Sequence, residues 1–343
     1  MREAEDGRRH RCDGVTVTDD DDPAPDLLLA RDHAGDGRDD RHLARACATG
    51  ALVRVGVGAY VPDANWQARD PRARQLVRVV AAHRSRRPAA RGRVVSHESA
   101  ALSWGLPTWG WPARRVELTD PGSTTTRSGS VLVHAGPLEQ QEIVERPDGL
   151  IVTSLRRTVL DLLVSRTREQ AVVLVDHLLG RGWTRGELEA LLAVRPTARN
   201  RRRAAWAVAF GDAGGATPGE SVSRVLAHEA GFVAPELQRR FCDAEGFVGV
   251  VDFFFPTGDG RGVVGEFDGS VKYLDEAHRS GRVASEVVLD EKEREDRLRA
   301  LPTTSAFVRW GRRQVAQPHL LAARLRTAGV PRRDVVRDTE KGT

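Results

Sequence analysis

Three carboxylates in the last third of the chain are spaced for shared work. Phe247 to Phe255 is an apolar, aromatic run interrupted by one charge, Asp252. After the turn-rich stretch Pro256-Thr257-Gly258-Asp259-Gly260-Arg261-Gly262 comes Val263-Val264-Gly265-Glu266-Phe267-Asp268-Gly269. Two such runs around a glycine-rich loop predict an antiparallel hairpin. Symmetry about Asp259 sets Asp252 opposite Glu266, each seven residues from the centre. Opposed residues share one sheet face with Cβ atoms ~4.5–5.5 Å apart. Asp268, two places beyond Glu266, points to the same side. Carboxylates gathered on an apolar hairpin repel one another and resist burial. A divalent cation, Mg²⁺ or Mn²⁺, bound by oxygen ligands and completed by phosphate, neutralises them economically. The alternative is an exposed polar face with Arg or Lys partners.

Other residues bear on this centre. Glu220 opens a helix carrying Val222, Val225 and Leu226, and Thr217-Pro218-Gly219-Glu220 reads as a capping box, so Glu220 either caps only or also assists the acids. Of 53 basic residues only Lys272, Lys292 and Lys341 are lysines, the rest being arginine. Where Arg is the default cation, a retained Lys suggests a compact ammonium whose pKa can move, and Lys272 and Lys292 flank the acids.

The elements that must hold these residues follow from periodicity. Val283 to Leu301 predicts a charged helix with Glu291, Arg294, Glu295, Leu298 and Leu301 on one face. Ala306 to Trp310 predicts a buried strand, and Leu320 to Ala328 a closing helix. Upstream, short helical patterns at Leu27–Arg31 and Asp40–Ala48, closed by Gly50, precede a glycine-punctuated hairpin over Ala51–Val61. Helix–helix–hairpin matches a winged helix-turn-helix, with glycines at the wing tip in place of the usual arginines, and equally any small α+β domain. His97 to Leu102 predicts a short helix, Val116–Thr119 and Val131–His134 predict strands, and Ser154–Leu179 predicts a helical segment. Thr184 with Glu187 is a capping box. His97, His134 and His177 have no ligand spacing and read as surface or packing residues.

Composition sets the frame. A chain of 343 residues exceeds one ordinary core. The expected division is a disordered tail at 1–25, a winged-helix-like domain at 26–65, a mixed α+β middle at 66–195, an Arg/Gly-rich linker at 196–216, a last αβ domain at 217–330 and a disordered tail at 331–343. No apolar run approaches the ~20 residues that cross a bilayer, and three scattered cysteines form no framework, so a cytoplasmic protein without membrane contact is expected. Residues 1–25 carry −4 and residues 217–343 carry zero, so the formal +5 leaves +9 for residues 26–216. Such a surplus fits a polyanionic partner such as DNA, or simply an arginine-rich composition with no partner behind it.

At the acids the sequence also resembles a known family. Glu220 on a helix, Asp252 on a strand and Glu266 two places before Asp268-Gly269 resemble the PD-(D/E)XK nuclease superfamily. The Glu-Phe-Asp-Gly stretch, Lys292-Glu293-Arg294-Glu295-Asp296 and Val308-Arg309-Trp310 resemble its branch related to very-short-patch repair endonucleases. That likeness implies a restriction-endonuclease-like αβ domain and Mg²⁺-dependent hydrolysis of DNA. Asp252 and Glu266 would hold the metal, with Asp268 and Glu220 assisting. The superfamily places Lys two residues after the motif Glu, where this chain has Asp268; Lys272 or Lys292 fills that role, or the domain binds without cutting. Residues 26–165 are similar to the AbiEi-type antitoxins of type IV toxin–antitoxin systems. The winged-helix pattern, His97-Glu98-Ser99-Ala100-Ala101 and Val152-Thr153-Ser154-Leu155-Arg156-Arg157-Thr158 carry that likeness. It implies an alternative: a non-catalytic DNA-binding regulator, with a nucleotidyltransferase toxin as partner.

Overall fold

A computed structural model describes residues 11–12, 15–16, 22–33, 41–85, 92–110, 115–194, 198–258, 260–269 and 284–333. The chain is mixed α and β and divides into two compact units. Unit 1 comprises Met1–Leu174 with Arg181–Phe210, and unit 2 comprises Val175–Gly180 with Gly211–Thr343. Lys272 and most of the two expected tails lie outside the described residues. Among the described residues, no helix is long and apolar enough to cross a membrane.

Unit 1 begins with a two-stranded ladder, β1 (Arg11–Cys12) against β2 (Val15–Thr16), inside the segment predicted to be disordered. Asp22, at the end of that acidic run, is held by Arg84 through two hydrogen bonds of 2.9 and 3.0 Å. Then come β3 (Leu28–Leu29), α1 (Ala30–His33), α2 (Arg41–Ala48), β4 (Leu52–Gly56) and β5 (Ala59–Pro62). A helix was predicted from Leu27. Instead Leu28 and Leu29 pair with Tyr60 and Ala59, and the helix starts at Ala30. Short apolar runs do not distinguish helix from strand by period, and here the ladder with β5 decides. Gly50 ends α2 as expected: at φ 79° its N–H reaches Cys47 O, and Ala51 N reaches Ala46 O. The three-stranded sheet has the order β3-β5-β4. Leu29, Val55, Val61, Trp66, Val77 and Val80 form its core.

Helices α3 (Asp63–Ala68) and α4 (Pro71–Arg84) lead into a six-stranded sheet. Asp70 caps α4 through Ala73 N, with Pro71 at the first helical position. The sheet comprises β6 (Val94–Val95), β7 (Val116–Asp120), β8 (Thr126–Ser128), β9 (Val131–Ala135), β10 (Ile143–Glu145) and β11 (Ile151–Thr153). Its order is β10-β11-β6-β7-β9-β8, and α5 (His97–Ser103) packs on it. The long helical segment from Ser154 is two helices, α6 (Leu155–Ser165) and α7 (Arg168–Gly180). Arg166 leaves helical geometry (φ −90°, ψ 168°), and its side chain is spent on Glu117 and Glu98 instead. Helix α8 (Arg185–Ala193) carries the predicted Thr184–Glu187 capping box. Where sequence suggested an arginine-rich joint, α9 (Ala198–Phe210) is a helix with Ala204, Ala207 and Val208 fully buried.

Unit 2 is a four-stranded sheet flanked by helices. It runs α10 (Pro218–Glu229), β12 (Glu236–Asp243), β13 (Gly246–Pro256), β14 (Gly262–Asp268), α11 (Ala284–Ala300), β15 (Thr304–Gly311), α12 (Arg312–Ala316) and α13 (Pro318–Thr327). Strand order is β12-β13-β14-β15, with β14 and β15 parallel. β12 was not predicted: Glu236-Leu-Gln-Arg-Arg-Phe-Cys-Asp lacks strict alternation. Alternation in β14 sorts the two faces. Toward α10, Phe267 lies where a Cβ on Gly219 would come within 2.0 Å of its ring, and Trp310 Nε1 donates to Ser223 Oγ. Val264 joins Phe241, Val251, Phe254, Leu298 and Phe307 in the core on the α11 side.

Candidate functional site

The acidic centre sits where β13 and β14 part. Their ladder runs from Pro256↔Gly262 to Phe253↔Gly265, every pair symmetric about position 259 as the sequence indicated. One step further the register sets Asp252 beside Glu266, but backbone pairing has stopped. There the Asp252 carboxylate takes over: its Oδ2 accepts from Phe267 N at 2.8 Å. Glu266, only 8% exposed, points to the α11 side. Asp268 is half-buried at the strand end.

Glu266 is neutralised by arginines. Arg294 Nη2 donates to Glu266 Oε1 at 2.6 Å and Arg309 Nη2 to Oε2 at 2.8 Å. Glu291 completes the network, accepting from Arg294 at 2.8 and 2.9 Å and from Arg309 at 2.6 Å. Arg294's pKa is pushed up, first by its hydrogen bond to Glu291 and then by Glu266. Burial raises Glu291's pKa, but the bonds from Arg294 and Arg309 outweigh it and hold the carboxyl below its ordinary range. The helix face predicted from sequence is therefore an ion-pairing face, with Leu298 beneath it in the core.

The remaining predicted residues stand apart. Glu220 is 2% exposed and satisfied locally: Thr217 Oγ1 donates to Oε1 at 2.7 Å, while Ala216 N and Gln238 Nε2 reach Oε2 at 3.2 Å each. Thr217 Oγ1 in turn caps the helix by accepting from Glu220 N at 3.3 Å. Lys292 is exposed and makes no ion pair with a described residue. Among the described residues, no group of three or more His, Cys, Asp or Glu is arranged to hold a metal ion. A divalent ion at Glu266 would confront two guanidiniums on oxygens already in use. The arrangement as it stands does not fit one.

A second polar cluster, in unit 1, brings together His97 and His134, which have no ligand spacing along the chain. Their rings stack at 3.7 Å between centroids, 14° from parallel. Glu117 on β7, 4% exposed, faces His134 Nε2 at 3.4 Å, binds Arg166 and accepts from Glu98 N at 2.9 Å. Parallel pairing of β7 with β9 sets Thr119 beside His134, so Glu117 and His134 share a sheet face. His97 starts α5 in the left-handed region (φ 50°), its Nδ1 3.0 Å from Ser96 Oγ. Burial above all, and then His134, depresses the His97 pKa to about 3. Burial raises the Glu117 pKa, but His134, Arg166 and His97 outweigh it and hold the carboxyl at about 2. Alternation in β7 was the available signal; that three elements converge was not visible in one dimension. His177 is half-buried on α7.

Unit 1 also exposes Ala44, Arg45 and Ala48 on α2, and Val57 in the adjoining β4–β5 turn is 77% exposed. The chain is thus a two-unit α and β protein whose unit 2 carries an arginine-held acidic centre. Compared with known proteins, the chain matches no family model and no curated sequence.

Proposed function

We propose that this chain is a DNA-binding regulator of antitoxin type, whose N-terminal segment is a winged helix-turn-helix and whose unit 2 is a restriction-endonuclease-like αβ domain that serves as a non-catalytic scaffold. One observation carries the DNA reading: β3, α1 and α2 precede the β4–β5 hairpin in a sheet ordered β3-β5-β4, leaving α2 with Arg45 outward and the hairpin turn beside it as a wing. Helix α2 enters the major groove, and the turn contacts the adjacent backbone. The non-catalytic part is supported by the pairing of Glu266 with Arg294 and Arg309. The partner implied for such a regulator is a nucleotidyltransferase toxin, and the compartment is the cytoplasm.

Footprinting upstream of the chain's own gene tests this. Arg45→Ala should weaken the protected site roughly 5- to 150-fold, the range of ~1–3 kcal/mol for a lost base contact. Unchanged protection would remove α2 from the interface.

A second reading, Mg²⁺- or Mn²⁺-dependent cleavage of DNA, is favoured by one observation: the register sets Asp252 beside Glu266. It requires Arg294 and Arg309 to release Glu266 first. The expected result is no plasmid nicking with either ion. Nicking by the wild type that vanishes in Asp252→Ala would establish the nuclease and overturn the non-catalytic reading.

A further inference from the structure

Helix α9 breaks a local rule. Residues 198–210 read Ala-Arg-Asn-Arg-Arg-Arg-Ala-Ala-Trp-Ala-Val-Ala-Phe, with four arginines crowded at the N-terminal end and no acid anywhere. Cations there oppose the helix dipole and repel one another, whereas Asp or Glu would stabilise the same turn. Neither Arg201 nor Arg202, both exposed, makes a hydrogen bond or ion pair with a described residue. The helix is nonetheless well anchored. Ala204, Ala207 and Val208 are fully buried, and Arg203 Nη2 donates to Val164 O at 3.2 Å. Trp206 stacks on Phe210 at 4.6 Å, and the Arg168 guanidinium lies 4.4 Å from the Trp206 ring centroid. At the other end Arg185 Nη1 donates to Ala209 O at 3.3 Å, a cation where the dipole favours one.

Two exposed guanidiniums, Arg201 and Arg202, on a helix anchored by its buried face suit an external polyanion. We infer that α9 is a second DNA contact, in which Arg201 and Arg202 neutralise backbone phosphates. Guanidiniums pair with phosphate oxygens through matched N–H donors, and such contacts carry affinity without reading sequence. The inference rests on the DNA-binding reading above and adds where the positive surplus of residues 26–216 is used.

The test is binding of a random-sequence duplex to the full chain, followed by fluorescence anisotropy across a KCl series. Each phosphate contact contributes about 0.9 to the slope of log K against log salt. The double variant Arg201→Gln/Arg202→Gln keeps good helix formers while removing both charges. Its slope should be shallower by about 1.8, with affinity reduced accordingly at low salt. Arg312→Gln/Arg313→Gln, removing two exposed charges from unit 2, should leave the slope as it was. A slope unchanged in the α9 variant, or equally reduced in the unit 2 control, overturns the α9 contact. If Arg45→Ala still weakens binding in that event, DNA binding stands and only α9 is excluded. Absence of binding by the wild type overturns both.

Discussion

Asp176→Ala should destabilise unit 2 by about 3–5 kcal/mol, the range for removing one partner of a buried ion pair. Asp176 lies in the last turn of α7, within unit 2, and its side chain is 0% exposed. Both its oxygens accept from Arg224 Nη2 at 2.8 Å, and Oδ1 also accepts from Asp212 N at 2.7 Å. Burial dominates and raises the Asp176 pKa in spite of Arg224's attraction, so the pair does not fully recover the desolvation of its carboxylate. Removing Asp176 alone is a different matter. Arg224, 8% exposed at its side chain, would keep its charge in a buried place without the carboxylate it now faces. Replacing both residues together, Asp176→Leu with Arg224→Met, should cost much less, leaving chiefly the Asp212 N–H and the Ser221 hydroxyl without their acceptor. Urea denaturation of the three proteins decides the point: a shift under about 1 kcal/mol for Asp176→Ala would mean that water reaches the pair.

Acidification should unfold unit 1 early, and His97 should be the first cause. Its folded pKa of about 3 lies below the unfolded value of 6.5, so the buried ring is neutral while the unfolded chain takes up a proton. Stability from this group is complete above pH 6.5 and falls as pH drops toward 3, by about 1.4 kcal/mol per pH unit. Between pH 6.5 and 4.5 the loss is about 2 kcal/mol. Glu117, held at about 2 against an ordinary 4.5, adds a loss in the same direction once pH falls below 4.5. The groups facing His97 are His134 on β9, Glu117 on β7, Arg157 on α6 and Arg166 just beyond it; none offers a buried imidazolium an uncontested anion, because Glu117 is already bound to Arg166. Asn tolerates the left-handed backbone at this position. His97→Asn should therefore fold and show a flatter dependence of Tm on pH between 6.5 and 4.5. An identical slope in the variant would place the proton elsewhere.

Much of unit 2 was legible in one dimension because its signals are local. The hairpin's symmetry about Asp259 follows from two apolar runs and a glycine-rich loop, and pairing of Phe253 with Gly265 obeys it. The α11 face holding Glu291, Arg294, Glu295 and Leu298 follows from helical spacing alone. Other features were hidden for physical reasons. β6, β10 and β11 are two or three residues long, too short to carry a period, and are strands only because neighbours complete their ladders. The arginine-rich 198–203 stretch has the composition of a solvated joint, and only the burial of Ala204, Ala207 and Val208 makes it the start of a packed helix.

What the residues determined unaided was which groups are ionised, which strands alternate and which helices are capped: Asp252 and Glu266 at matching positions, Thr217 as an N-cap, and a positive surplus in residues 26–216. What the tertiary structure decided was the choice of partner for each charge. Arg309 lies 43 positions from Glu266 and Arg294 lies 28, while Arg166 lies 49 from Glu117. Coulomb attraction depends on distance in space, and local pattern holds no record of distances closed by strands and helices folding back on one another. For that reason the same three acids read as a metal centre along the chain and include an arginine-bound Glu266 in three dimensions.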